Sequence, residues 1–307
     1  MALPSFLLRR VLQALPTVLF LLAAVFWLVR LTGDPARLYL GDFATPEAVQ
    51  EVRERWGLDR PVLVQFVDYV GGVLTGDLGQ SLRYSRPVSQ LIVSRIGMSA
   101  LLAFTALVLA VAVSVPLGTL AAIYRGTWID SLIRLLIVVG QAVPRFYLGI
   151  LLIILFSLYL DWFPTSGAGT FRHLVLPAVT LATPSIALLA RLTRSSVIDV
   201  LGQDFVRTAR SKGVRPLSVI ARHVLRNALI APVTVIAIQF SQLMGGAVVV
   251  ETVFGWPGLG QLAVQSVYTR DFVLIQGSVL VFTAIVVAMN IVTDALYGFL
   301  DPRIRIA

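Results

Sequence analysis

Long apolar segments dominate this sequence and constrain its fold more than any other feature. Six stretches each hold about 20 apolar residues, the length that an α-helix needs to cross the hydrocarbon core of a bilayer. Charged residues make up only 13 % of the 307 residues, about half the share found in soluble domains. The chain is therefore predicted to be an all-α integral membrane protein. Its predicted spans are 11–29, 98–124, 131–160, 174–192, 228–250 and 272–298.

The first apolar segment is predicted to be a retained helix. It is longer than the apolar region of a secretory signal peptide, and no small-residue cleavage site follows it. The expected division of the chain is 1–31 for the N-terminus and first span, 32–98 for an insert, and 99–307 for the core of the protein.

Charged residues predict the orientation of the spans, because Lys and Arg accumulate in cytoplasmic loops. Segment 190–228 carries eight basic and two acidic residues, whereas segment 32–98 carries seven basic and eight acidic ones. Both termini are therefore predicted to lie in the cytoplasm, with 32–98 outside. The net charge of +9 then belongs almost entirely to the cytoplasmic side rather than to a nucleic-acid surface.

Several kinds of chemistry are excluded by residue content. The chain has no cysteine and only two histidines, His173 and His223, which leaves little for a metal site. Its only lysine, Lys212, precedes Gly213, so the Gly-x-x-x-x-Gly-Lys-Ser/Thr loop of ATPases is missing. We expect no enzyme activity, and no metal or cofactor bound by this chain.

The outer segment 32–98 is predicted to fold into helices. Thr45 can cap a helix that begins at Pro46 and stops at Gly57, and a second amphipathic run from Val62 ends near Gly76. This insert is either a lid over the spans or a docking platform for an extracytoplasmic partner.

The inner loop, 194–228, is predicted to form two amphipathic helices. Val197, Leu201, Phe205 and Ala209 fall on one helical row, Gly213 provides a stop, and a second helix begins at Pro216. Three interpretations follow: a DNA-reading helix-turn-helix, which tethering to two spans disfavours, a helix lying on anionic lipid, or a knob that fits the groove of a cytoplasmic partner.

Segment 204–213 resembles the coupling loop, or EAA motif, of ABC importer permeases. Arg207-Thr208-Ala209 stands where the motif has Glu-Ala-Ala, Gly213 matches its glycine, and 223–226 stands at its Ile-x-Leu-Pro. The replaced glutamate and proline are typical of the dipeptide/oligopeptide/nickel permeases. Further segments resemble that subfamily in the same order: Gly33-Asp34-Pro35, 57–61, 76–79, 164–167, 251–260, Asn290 with Asp294, and Asp301-Pro302-Arg303.

The resemblance implies a type I ABC importer permease in the bacterial inner membrane that works by alternating access. It implies a second, homologous permease, two cytoplasmic ATPases that bind ATP and magnesium, an extracytoplasmic substrate-binding protein, surrounding lipid and no nucleic acid. Relatives carry peptides, nickel chelates, glutathione or oligosaccharides. The residues implied to contact the ATPase are Phe205, Arg207, Thr208, Ala209, Lys212 and Gly213.

Polar residues inside spans are candidates for the translocation path, because they are unfavourable in lipid. The alternative is hydrogen bonding between helices. Arg145 follows Pro144 near the middle of the third predicted span and is expected to bind a substrate carboxylate or to extend to an interface. The path candidates are Gln141, Arg145, Gln239, Gln242 and Asn290.

The segment after the fifth span is a candidate outer gate or seat for the binding protein. Its candidate residues are Glu251, Phe254, Trp256 and Pro257. The alternative is a loop that only closes the fold. The rival functions for the whole chain are an ion-coupled secondary transporter, which would usually show internal repeats, and a membrane scaffold protein.

Overall fold

A computed structural model of the protein describes residues 3–31, 33–41 and 44–300. Within these residues every regular element is helical, apart from one isolated β-bridge between Gln80 and Pro87. The segment 301–303 and the side chain of Asp294 lie outside the described part. The helices are α1 (Leu3–Leu31), α2 (Pro35–Leu40), α3 (Pro46–Arg55), α4 (Val62–Thr75), α5 (Val88–Ile123), α6 (Trp128–Ala142), α7 (Arg145–Leu152), α8 (Phe171–Leu201), α9 (Asp204–Ser211), α10 (Pro216–Ser218), α11 (Leu225–Ala228), α12 (Ile230–Val253), α13 (Leu259–Tyr268) and α14 (Phe272–Leu300).

The long apolar helices confirm a membrane protein that crosses the bilayer several times. Four helices in the described residues, α5, α8, α12 and α14, are long and apolar enough to span, and α6 with the segment Arg145–Tyr159 forms a bent pair that makes up to five. Helix α1 contributes a shorter apolar stretch, Leu15–Leu31. Several helices extend beyond their predicted spans; for example, α5 begins ten residues before position 98, and α8 continues to Leu201 rather than 192.

The third predicted span, 131–160, is not one helix. Helices α6 and α7 meet at an angle of 107°. Pro144 has no N–H to continue the helix, and it disfavours helical geometry at Val143, whose φ of −74° and ψ of 123° are extended. Helix α7 then continues as a π-helix over Ile153–Tyr159. In contrast, Pro116, Pro177 and Pro184 lie inside unbroken helices.

One compact unit consists of residues 1–99 and 257–291. Its insert helices confirm the predicted signals: Thr45 Oγ1 accepts a hydrogen bond from the Ala48 N–H at 3.3 Å, Pro46 opens α3, and Gly76 ends α4 in the left-handed conformation. The core contains buried side chains from α5, α13 and α14, namely Val88, Ile92, Leu259, Leu262 and Leu274. The insert is therefore packed with helices from the far end of the chain.

The start of α14 is fixed by a buried carboxylate in the same unit. Asp271 accepts hydrogen bonds from the Leu274 N–H and the Arg83 N–H, both at 3.1 Å, and from the Ser81 hydroxyl. The acid therefore caps α14 and ties the loop between α4 and α5 to it.

The second compact unit consists of residues 100–256 and 292–307. Helix α8 packs against both α6 and α12. Close packing relies on small residues: a Cβ at Gly118 would lie 2.5 Å from the Ala190 carbonyl oxygen, and one at Gly140 would lie 3.3 Å from the Thr183 methyl. Small residues let the backbones of membrane helices approach closely.

Candidate functional site

The candidate coupling segment, residues 204–228, folds onto the end of α8. It comprises α9, a turn, α10, a π-helix over Val219–Val224, and α11. Its buried side chains form one apolar cluster with residues of α5 and α8: Ala122, Val197, Val200, Val206, Ala209, Val219, Val224 and Ala228. The segment is therefore attached to α8 by packing as well as by the chain.

The predicted helical row through this segment is wrong. Helix α8 ends at Leu201, and α9 begins only at Asp204, so a break at Gly202 and Gln203 rotates the following residues. Val206 is fully buried, whereas Phe205 is 39 % exposed. The second helix begins at Pro216 as predicted.

Most of the residues predicted to contact an ATPase lie on the surface of the segment. Phe205, Arg207 and Thr208 are exposed on α9, whereas Ala209 is buried beneath them. Gly213 stands in the turn with a φ of +73°, and no atom lies within 4 Å of a Cβ built there. Lys212 is exposed beside it, as is Leu217, whose exposed fraction is 80 %. The segment thus presents two large apolar side chains among several exposed basic ones, on a fixed base.

A buried ion pair anchors α8 just before this segment. Arg194 donates from Nε and Nη2 to the two carboxylate oxygens of Asp130, at 2.8 and 2.9 Å, and the Gly126 N–H donates to the same acid at 3.1 Å. Asp130 is 1 % exposed. Because the arginine is bidentate, the turn between α5 and α6 is held to α8 in a defined geometry. The pair joins residues 64 apart in sequence, so no local pattern indicated it.

Arg145 is the first residue of α7, directly after the break at Pro144. It is half-buried, and its guanidinium lies against α12 so closely that a Cβ at Gly246 would be 1.7 Å from Nη1 and 2.9 Å from Cζ. Among the described residues, no acidic side chain lies within ion-pairing distance of Arg145. A guanidinium in this position keeps donors that can bind an anion.

The other four candidates for the translocation path differ in their burial and in their hydrogen bonds. Gln239 is buried and donates from Nε2 to the Ser185 hydroxyl at 3.1 Å, which is a hydrogen bond between α12 and α8. Gln141 is exposed and accepts a long bond of 3.5 Å from Arg191. Gln242 is exposed on α12. Asn290 is exposed on α14 and belongs to the other compact unit.

The candidate outer gate is mostly inaccessible. Glu251, Phe254 and Trp256 are at most 2 % exposed, and Pro257 is half-buried. The Phe254 carbonyl accepts a hydrogen bond of 2.9 Å from the Gly167 N–H, which joins two of the segments that resemble the permeases. This packing favours the loop-closing role, and a role as gate or seat stays a prediction.

Comparison with known proteins identifies the class. Residues 114–306 match the family model of the binding-protein-dependent transport system inner membrane component, and residues 3–103 match the N-terminal model of such membrane components. The chain belongs to this family. It is an ABC importer permease of the peptide family and a multi-pass membrane protein.

The sequences of known relatives match almost the whole length of this chain. The glutathione transport system permease protein GsiC of Salmonella typhimurium is 44 % identical over 98 % of this chain and 99 % of its own length. A peptide transport system permease protein of Brucella abortus is 43 % identical over the same shares. These relatives do not favour the alternative of an ion-coupled secondary transporter.

Solved structures share the fold at low identity. The inward-facing MetNI methionine ABC transporter matches with a TM-score of 0.54 and 18 % identity, over 69 % of this chain and 97 % of that one. An amino acid ABC transporter crystallised with histidines matches with a TM-score of 0.51 and 18 % identity, over 68 % and 93 %. Both likenesses concern the fold alone.

Proposed function

We propose that this permease forms half of the path by which an ATP-driven importer carries di- or oligopeptides, or similar small solutes such as glutathione, across the bacterial inner membrane. It works by alternating access with a second, homologous permease, two ATPases that hold ATP and magnesium, and a substrate-binding protein. This chain itself binds no cofactor. Six spans with both termini inside complete the proposal, and the names of the curated relatives support the substrate class.

The exposed coupling segment on its fixed base is the observation that carries this function. Phe205 and Leu217 expose apolar surface on a segment that also exposes the basic residues Arg207 and Lys212, which suits insertion into a groove of an acidic partner. The base is joined to α8 by the buried apolar cluster and by the Asp130–Arg194 pair. Motion of the segment would therefore be passed to the packed helices α6, α8 and α12.

The positive charge of Arg145 favours solutes that carry a negative charge. The residue stands at a break in the helix, where the first N–H groups of α7 are also free of helical partners. Both features favour a carboxylate. We propose that Arg145 binds the carboxylate of the solute during translocation.

Gly213→Trp tests the coupling role. Open space surrounds the Gly213 Cβ position, and the strain of a side chain at its positive φ is shared by the control variant. The variant should therefore reach the membrane, but the bulk should keep an ATPase out. We expect loss of the co-purifying ATPase in mild detergent and at least tenfold lower uptake.

Gly76→Trp is the matched control, because Gly76 also has a positive φ, of +80°, in the left-handed conformation and open space around its Cβ, but it lies in the insert. A Gly213→Trp protein that retained its ATPase and its uptake would contradict the coupling role.

A further inference from the structure

The unit that contains the insert holds a cavity of about 590 Å³. The end of α1, helix α3, the loop between α4 and α5 and the start of α14 surround it. This volume is typical of sites for small molecules. Among the residues that the structure describes, its lining includes two arginines and no acidic residue. The polar and aromatic lining residues used below are Arg30, Arg55, Trp56, Gln80 and Gln276.

Arg30 is held in position by uncharged groups. It donates from Nη1 to the Phe26 carbonyl at 3.2 Å and from Nη2 to Gln65 Oε1, and its guanidinium stacks over the Phe26 ring with 3.4 Å between Cζ and the centroid. A guanidinium carries five N–H donors, so donors remain for a ligand. Since both acceptors are neutral, they do not cancel its positive charge.

Arg55 adds a second cation that can turn toward the cavity. Its bond to Glu51, at 2.7 Å, joins two side chains that are 69 % and 70 % exposed, and such surface pairs are weak. Trp56 follows it and packs edge-on against Tyr39, with ring centroids 5.1 Å apart. The cavity therefore combines positive charge with an aromatic wall.

The remaining polar groups favour a peptide over a lipid. The amides of Gln80 and Gln276 line the cavity, where they can pair with the N–H and C=O groups of a short peptide. A lipid chain would leave these groups unpaired, which is unfavourable. The two arginines match a carboxylate, and Trp56 matches an apolar side chain.

We propose that this cavity is a second solute site, which binds a short peptide through its carboxylate before the peptide reaches the translocation path. The proposal rests on the peptide substrate class of the proposed function. It assigns Arg30 and Arg55 to the carboxylate and the insert to substrate capture.

The test uses the full-length protein with its partner subunits in lipid nanodiscs, without nucleotide and without the binding protein. Trialanine is titrated while tryptophan fluorescence is followed. The part of the fluorescence change that disappears in the Trp56→Phe variant reports binding in the cavity. We expect saturable binding of trialanine, and about tenfold weaker binding of trialanine amide and of trialanine to Arg55→Gln.

Arg37→Gln is the matched control, because Arg37 is exposed in the same unit and does not line the cavity. It should bind trialanine like the unchanged protein. Equal affinity for the acid and the amide, equal affinity in Arg55→Gln and Arg37→Gln, or no Trp56 response would overturn the proposal.

Uptake of trialanine separates this inference from the proposed function. Proteoliposomes that import the peptide in the presence of ATP, while the Trp56 response is missing, would refute the second site and leave the peptide permease intact. Absence of uptake for peptides and glutathione would instead refute the proposed substrate class.

Discussion

Arg145 and Gly246 depend on each other at the centre of the second unit. The glycine is needed because the guanidinium occupies the place of its Cβ, with Nη1 only 1.7 Å from that point. Because the obstructing atoms belong to the end of a long side chain, a larger residue at 246 should move Arg145 rather than unfold α12. Gly245 next to it has nothing within 4 Å of its Cβ.

Gly246→Ala should therefore impair transport through Arg145. We expect Gly246→Ala and Arg145→Gln each to reduce uptake of trialanine about tenfold, which corresponds to one lost charge-assisted hydrogen bond. Uptake of trialanine amide should change little. Equal losses for acid and amide would refute carboxylate binding by Arg145, and Gly245→Ala serves as the matched control.

For single residues, the sequence showed which side chains are unusual in an apolar span. It did not show what surrounds them in the fold. A charge inside an apolar segment identifies Arg145, whereas its contact with Gly246 depends on how α7 and α12 pack. Gln239 was also singled out, and its buried bond to Ser185 favours the helix-packing alternative, while its role in the path stays a prediction. Position along a span cannot distinguish these two outcomes, because both kinds of side chain avoid lipid.

At the scale of elements, local signals were reliable and distant contacts were not. Thr45 with Pro46, and Gly76, predicted the ends of the insert helices because capping and positive φ are local properties. The sequence predicted one span across Pro144 and one helical row across Gly202, although both residues were visible. Prolines also occur inside the unbroken helices α5 and α8, so the residue type alone does not determine a break.

The Asp130–Arg194 pair is the main link between elements that sequence did not indicate. Asp130→Asn would leave Arg194 without its charged partner in a largely buried position, and we expect about 2 kcal/mol lower stability. A melting curve in detergent measures this loss. Arg134→Gln is the control, because Arg134 is 55 % exposed and 3.5 Å from the same acid. Equal melting temperatures for the two variants would show that the buried pair does not stabilise the unit.

At the scale of the whole molecule, the absence of cysteine makes the proposed topology directly testable. Single cysteines can be introduced at exposed positions without background labelling. With the N-terminus inside, Arg86→Cys in the insert should react with an impermeant maleimide added to intact spheroplasts, and Arg125→Cys in the turn between α5 and α6 should react only after lysis. The reverse pattern would contradict the proposed orientation.

Composition alone predicted a membrane protein, because few soluble folds contain 57 % apolar residues. The motifs then indicated the family, which the comparisons confirmed. The number of spans was less certain from sequence, since a bent pair and a short apolar stretch in α1 both fall near the limits of a bilayer-crossing helix.

ATP-dependent uptake by the reconstituted complex is the decisive test of the proposed transport function. The complex is reconstituted in proteoliposomes with its binding protein outside and ATP with magnesium inside, and labelled trialanine and glutathione are supplied. We expect labelled solute to accumulate inside the proteoliposomes only when both ATP and the binding protein are present. Accumulation should be lost in Gly213→Trp. Uptake driven by a proton gradient alone, without an ATPase, would contradict the proposed function.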